Sequence, residues 1–433
     1  MSSILRANGY TQDAMMVSIF MNVIHLAGNG ILIYGLLGFP EMGVMGVSIS
    51  TAVSRAIALV IIIKLMYDRI PIKLQWKDYS TIDTVQIRKI LKIGIPAAGE
   101  QTIFSFAIQN DYGVEVTAIN YGCIITKIVV PDKNGDFVNV VLGHDTLNEY
   151  VNDPYFLGAV AGRVAGRIKG GSFELDGESY TLARNENNNH LHGGIKGFSK
   201  VVWNAEIIGS GVRFSYTSSD GEEGYPGNLI IEVTYILNNK NELSVHYKAG
   251  TDKKTLVTLT NHSYFNLSGN LKRDILHHTL TIKSDKFLEL DHEFMPTGNF
   301  IEVEKTPFDF RNERVINTGT RSCHPQNILV GEGYDHPFLL HTHHDSEIVL
   351  KDPEGGRTLT IETNEAGVVV YSGNSLKSEG EFRGVQSIKY LGICLETQAL
   401  PDAIHHPHFP SVILDKDNLY SKTTVYKFGV EED

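Results

Sequence analysis

Ile124-Ile-Thr-Lys-Ile-Val-Val130, closed by Pro131-Asp-Lys-Asn-Gly135, is a short β-branched run that ends in a turn. Val, Ile and Thr pack well on a pleated surface, whereas Pro, Asp, Asn and Gly interrupt it. The same rhythm precedes it in Val114-Glu-Val-Thr-Ala-Ile119. It recurs at 212–216, 229–237, 243–249, 255–261, 348–351 and 368–371, and long amphipathic helical patterns are nearly absent. Short strands with frequent turns predict an all-β fold, a large sandwich forming a single domain over residues 109–433.

Upstream the texture differs. Residues 15–37 are almost continuously apolar, interrupted by Asn22, His25 and Asn29 but by no acid, Lys or Arg. A second such stretch, 43–66, carries Arg55 as its only charge before Lys64. Each is long enough to cross a hydrocarbon core of about 30 Å as a helix. Soluble helices normally show a polar stripe, so a helical membrane hairpin is expected, with buried helices of a soluble protein as the alternative. The first segment lacks the basic cluster and cleavage site of a signal peptide. Arg6 on one flank and Arg69, Lys73 and Lys77 on the other place both ends in the cytoplasm. A weaker segment, 93–108, contains Pro96, Glu100 and Gln101 and reads as a third, partial helix. Residues 1–108 are thus expected to be helical and to meet membrane lipid, leaving the second domain in the cytoplasm. Should the third segment also cross, that domain lies outside; should the N-terminal segment be a fusion artefact, the protein is cytoplasmic.

The formal charge of −12 and the lack of a basic stripe argue against a nucleic-acid partner. Three widely spaced cysteines, Cys123, Cys323 and Cys394, exclude a disulfide-dense scaffold and a cysteine zinc site.

The chemistry is concentrated in a few places. Glu396 lies inside the apolar run Tyr390-Leu-Gly-Ile-Cys-Leu-Glu-Thr-Gln398. A buried carboxylate is costly, so it is normally paired, protonated or functional. His262, in Thr260-Asn-His-Ser-Tyr-Phe-Asn266, sits at a strand end beside Tyr264, where it either titrates or simply bonds to a turn. His192 precedes Gly193-Gly194, which suits a ligand-presenting loop or a plain hairpin. Arg163 and Arg167 offer forked donors to a sugar or carboxylate, or form surface ion pairs. Asp335 can accept hydrogen bonds from substrate hydroxyls or cap a turn. The runs His341-Thr-His-His344 and His405-His-Pro-His408 lack a recognised zinc spacing, and no metal site is expected.

Together these motifs carry a resemblance. Residues from about 111 to 430 resemble the galactose mutarotase (aldose 1-epimerase) family through Asn120-Tyr-Gly122, Val141-Leu-Gly143, Leu191-His-Gly-Gly194 and Asp220-Gly-Glu-Glu-Gly-Tyr-Pro-Gly227. The order continues with Asn261-His-Ser-Tyr-Phe-Asn266, Tyr334-Asp-His336, Tyr371-Ser-Gly-Asn374 and Leu395-Glu-Thr-Gln398. The resemblance implies that family's β-sandwich and a cofactor-free interconversion of the anomers of a free hexose. It also implies Glu396 as general base, His262 as general acid, and Arg167, His192, Tyr264 and Asp335 as substrate-binding residues. Gly166 and Val369 depart from the family pattern, each removing a polar contact, which predicts altered affinity rather than lost chemistry. A non-catalytic carbohydrate-binding sandwich and a sugar-phosphate 1-epimerase are the alternatives. Residues 1 to about 108 resemble an internal piece of a multidrug and toxin extrusion transporter, through Leu5-Arg-Ala-Asn-Gly-Tyr10 and Ile90-Leu-Lys-Ile-Gly-Ile-Pro-Ala-Ala-Gly-Glu100. Such a piece covers too few helices to transport anything. The expected first strand of the sandwich merges into it, which predicts a missing or replaced edge strand.

Overall fold

Alternation of buried and exposed side chains along the strands builds this molecule. The computed structural model describes residues 102–341 and 347–431, with the run 28–33 and isolated helical positions before them. The chain divides into two compact units, Met1–Glu100 and Gln101–Asp433.

In the first unit every described position is helical, and these positions fall within the two segments expected as helices. Most of both segments, and residues 93–101 of the third, lie outside the described residues. Among the described residues no helix is long and apolar enough to cross a membrane.

In the second unit, Leu229–Leu237 buries Leu229, Ile231, Val233, Tyr235 and Leu237 and turns the intervening residues outward. That period of two is what a strand with one core-facing side requires. The strand pairs antiparallel on both sides within a nine-stranded sheet, between Gly211–Ser218 and Glu242–Thr251. A six-stranded antiparallel sheet runs in the order Tyr264–Phe265, Ile393–Gln398, Gly367–Tyr371, Asp335–Leu339, Lys286–Leu290, Pro296–Glu302. Phe338, Val368, Val370, Ile393 and Leu395 from this sheet join Ile231, Val245, Leu359 and Tyr426 from the larger one in a single buried cluster. The fold is therefore a β-sandwich, as the strand pattern predicts. The turn after Ile125–Pro131 closes as expected: Asp132 Oδ1 accepts from the Asn134 and Asp136 amides at 2.9 and 3.0 Å, and Gly135 takes φ +85°.

Three expectations need correction. The last part of the third helical segment is a strand, Ser105–Gln109, paired with Glu115–Ile119 at the edge of a four-stranded sheet. Phe106 and Ile108 alternate inward, and Phe106 meets Phe214 edge-on at 5.8 Å. Alternate burial of these two residues outweighs the apolar continuity that suggested a helix, so the sandwich keeps its first strand. The run 255–261 is not one strand, because Thr255–Leu256 pairs with Ile413–Leu414 and Thr260–Asn261 with Val160–Ala161. Arg163 is neither a surface ion pair nor a sugar donor. It is buried, and its Nη1 donates to the carbonyls of Pro226 and Gly227 at 2.9 and 3.0 Å, tying loops together.

If Ser105–Gln109 belongs to the sandwich, Phe106→Ala should destabilise it by about 1–3 kcal/mol, less than a fully buried Phe because Phe106 is half-buried. Urea unfolding of the variant checks this, and an unchanged midpoint would remove the strand from the cooperative core.

Candidate active site

On a strand buried on both faces, neighbouring residues serve different layers. In Ile393–Gln398, Ile393 and Leu395 enter the core, so Cys394, Glu396 and Gln398 project to the opposite face. Register extends this across the sheet. Tyr264, Cys394, Tyr371 and Asp335 form one transverse row, and Glu396, Val369 and Pro337 form the next. Apart from Cys394, which is covered, these two rows floor a cavity of about 330 Å³, whose walls carry His192, His262, Arg167, Glu186, Phe156 and Phe294. That volume lies at the lower end of the range for ligand pockets and suits a small, compact ligand.

His262 is held by its backbone: its amide donates to Ala159 O at 2.8 Å, and its carbonyl accepts from Gly158 N at 3.0 Å. Its Nε2 lies 3.4 Å from Glu396 Oε1, and its Nδ1 lies 3.6 Å from Cys394 Sγ. Both the His262 ring and the Glu396 carboxylate are almost wholly buried. Burial pushes Glu396 up to about 8, helped by the charge of Asp335 and opposed by Arg167. Burial also pushes His262 down to about 4. Between those values the pair carries one proton: an acid and a base in contact, each displaced toward neutrality.

His192 follows the strand His190–Leu191, which pairs with Arg167–Ile168, and takes φ +49°. Its amide donates to Gly166 O at 3.0 Å, and Gly166 N donates to its Nδ1 at 3.2 Å. Nδ1 is therefore an acceptor and the ring proton resides on Nε2. Burial holds this imidazole neutral, assisted by the nearby charges of His262, Arg167 and His190. Phe156 packs against both active-site histidines at 4.9 and 6.0 Å.

Arg167 donates from Nε and Nη2 to the two oxygens of Glu186, at 2.6 and 2.9 Å, while Nη1 stands 3.9 Å from Asp335 Oδ2. Burial raises the Asp335 pKa, with Arg167 opposing and Glu186 reinforcing. Tyr264 lines the cavity with its ring, and its hydroxyl donates to Tyr155 O at 3.1 Å.

His192, His262 and Glu396 offer ligand atoms within 4.8 Å of one another. The hydrogen bonding does not suit a metal there. A ligating histidine normally donates its second ring N–H to an acceptor, whereas His192 Nδ1 accepts an N–H and Nε2 keeps its proton, so neither nitrogen has a free lone pair.

All six residues expected to act on substrate, Glu396, His262, Arg167, His192, Tyr264 and Asp335, line this one cavity. Arg163 does not. Of the histidine runs, His341 pairs with Asp285 at 3.0 Å, His405 with Asp402 at 2.6 Å, and His408 Nε2 donates to Gly298 O at 2.9 Å; residues 342–344 lie outside the described residues. Sequence reasoning missed Glu186, Phe156 and Gln398. Gln398 was detectable, because it follows Glu396 by two residues on the same strand face. Glu186 comes from an Asn-rich loop with no pattern to mark it.

The sequence profile of the family described as aldose 1-epimerase matches residues 105–427. The chain belongs to the aldose 1-epimerase family. Its relatives are isomerases, and they match nearly their whole lengths. A galactose mutarotase from Bos taurus is 42% identical over 337 residues, covering 77% of this chain and 96% of its own. The aldose 1-epimerase of Escherichia coli K12 is 34% identical, covering 75% of this chain and 94% of its own. Among solved structures, the GalM/aldose epimerase homologue from C. elegans superposes with a TM-score of 0.72 at 29% identity, over 76% of this chain and all of that one. The match begins at residue 105, four residues before the domain boundary expected from sequence.

Gly166 takes φ +76°, and a Cβ there would come within 3.0 Å of Gln398 Nε2 and 3.2 Å of Pro401. Gly135 has φ +85° but nothing within 4 Å. Gly166→Ala should therefore cost about 1 kcal/mol or more beyond Gly135→Ala, which bears only the backbone penalty. Equal denaturation midpoints for the two variants would contradict the close packing behind the site.

Proposed function

We propose that this protein interconverts the α and β anomers of a free hexose such as galactose or glucose, with Glu396 and His262 as the proton-transfer pair. The observation that carries this reading is the 3.4 Å approach of His262 Nε2 to Glu396 Oε1 in a buried, sugar-sized cavity. Glu396, in its carboxylate form, takes the proton from the anomeric O1 hydroxyl. His262 gives its proton to the ring oxygen, the C1–O5 bond breaks, and O1 becomes the aldehyde oxygen. Rotation about C1–C2 presents the other carbonyl face. The O5 hydroxyl then attacks C1, His262 recovers its proton and Glu396 returns one to O1. Both groups end each turnover as they began, so no cofactor is needed. Arg167, through Nη1, and Asp335 suit hydroxyl recognition, and the His192 Nε2–H is a donor held in one tautomer.

The pKa values fix the protonation count. The reactive form, carboxylate with imidazolium, holds one proton, the same number as the neutral pair that predominates between about 4 and about 8. Adding a second proton below about 4 blocks the base, and losing the only one above about 8 removes the acid. The pH profile of kcat/KM should be bell-shaped with limbs near those values, and a rate that keeps climbing above pH 9 would defeat the assignment. Glu396→Gln and His262→Asn should each lower kcat by about 10²–10⁴-fold. Polarimetry with freshly dissolved α-D-galactose measures both, and the reading fails if wild type gives no acceleration over buffer.

For residues 1–108, contact with membrane lipid is supported by the apolar stretches 15–37 and 43–66, and the transporter-like reading by Leu5-Arg-Ala-Asn-Gly-Tyr10 and Ile90-Leu-Lys-Ile-Gly-Ile-Pro-Ala-Ala-Gly-Glu100.

A further inference from the structure

Glu186 does nothing in the reaction above except hold Arg167, yet it lines the same cavity. Its two oxygens occupy Nε–H and Nη2–H, the fork with which a guanidinium takes a carboxylate or phosphate. The end-on edge, made by Nη1 and the second Nη2–H, already faces Asp335, whose Oδ2 lies 3.9 Å from Nη1. Arg167 thus stands between two carboxylates before any substrate arrives, with its guanidinium over the Phe294 ring at 5.6 Å. A neutral hydroxyl can share Nη1 without displacing either acid. An anionic group would either compete with Glu186 for the side-on pair or take the end-on pair beside Asp335, meeting a like charge in both cases, which disfavours it. Lys377 at the cavity rim is exposed, and a hydrated ammonium is a weaker attraction than an open guanidinium fork.

We propose that Glu186 is a specificity-determining residue that restricts this site to uncharged hexoses and rejects uronates and hexose phosphates by occupying the Arg167 fork. This rests on the cavity being the catalytic site. It also separates the free-hexose reading from the sugar-phosphate alternative by a residue rather than by motif likeness.

The test compares α-D-galactose with α-D-galacturonate, two sugars of the same ring configuration that differ in a carboxylate, by polarimetry with wild type and Glu186→Gln. Wild type should favour galactose by about 100-fold or more in kcat/KM. Glu186→Gln keeps the shape and removes the charge, and it should raise kcat/KM for galacturonate about tenfold. For galactose it should raise KM a few-fold while kcat holds, which also reports that the variant is folded. The proposal is overturned if wild type handles both sugars alike, or if the variant changes both by the same factor or neither. A wild type that accelerates neither sugar defeats the catalytic reading, and this proposal with it, an outcome distinct from loss of discrimination.

Discussion

Desolvation of one carboxylate is the constraint around which this domain is arranged. Glu396 sits in the middle of Ile393–Gln398, where all six residues are buried. Among the described residues no Lys or Arg forms a salt bridge with it; its partner is the His262 imidazole, which burial holds neutral at ordinary pH. A buried acid so placed keeps its proton until well above the usual carboxylate range, and that reluctance is what makes it a useful base near neutrality. Arg167 moderates the effect from a distance, but its charge is largely committed to Glu186. The site is therefore tuned by what surrounds it at least as much as by what touches it.

The fold was legible wherever one face of a strand met the core. Leu229–Leu237 and Ile348–Lys351 begin and end where the β-branched pattern does, because alternation is imposed by the same burial that fixes the strand. Glu396 was legible for the complementary reason: a charge in an apolar run violates the pattern, and violations mark function. His262 was ambiguous locally, since a strand-end imidazole is common, and it became informative only once the sheet register set it against Glu396.

What stayed hidden depends on contacts distant in sequence. Ser105–Gln109 follows an apolar stretch, so its period of two was masked by a run that reads equally as helix; only pairing with Glu115–Ile119 decides it. Arg163 looked like a surface cation because nothing nearby in sequence supplies acceptors. Its partners are carbonyls more than sixty residues downstream. Glu186 carries no signal at all in an Asn-rich loop, and its meaning comes from Arg167 on a paired strand.

The transverse rows across the six-stranded sheet have a consequence for how such a site can change over time. Glu396 and Gln398 face the cavity, with Cys394 buried on the same side of the sheet, while Ile393 and Leu395 face the core, so catalytic identity is a matter of parity along the strand. Exchanging one side chain there alters a contact. Inserting or deleting one residue would send Glu396 into the oil and bring Leu395 to the sugar, inverting both layers at once. Length changes are therefore better borne by connections such as the turn between Glu381–Phe382 and Val385–Gln386 than by Ile393–Gln398. The sheet behaves as a ruler with two edges, one read by the core and the other by the substrate.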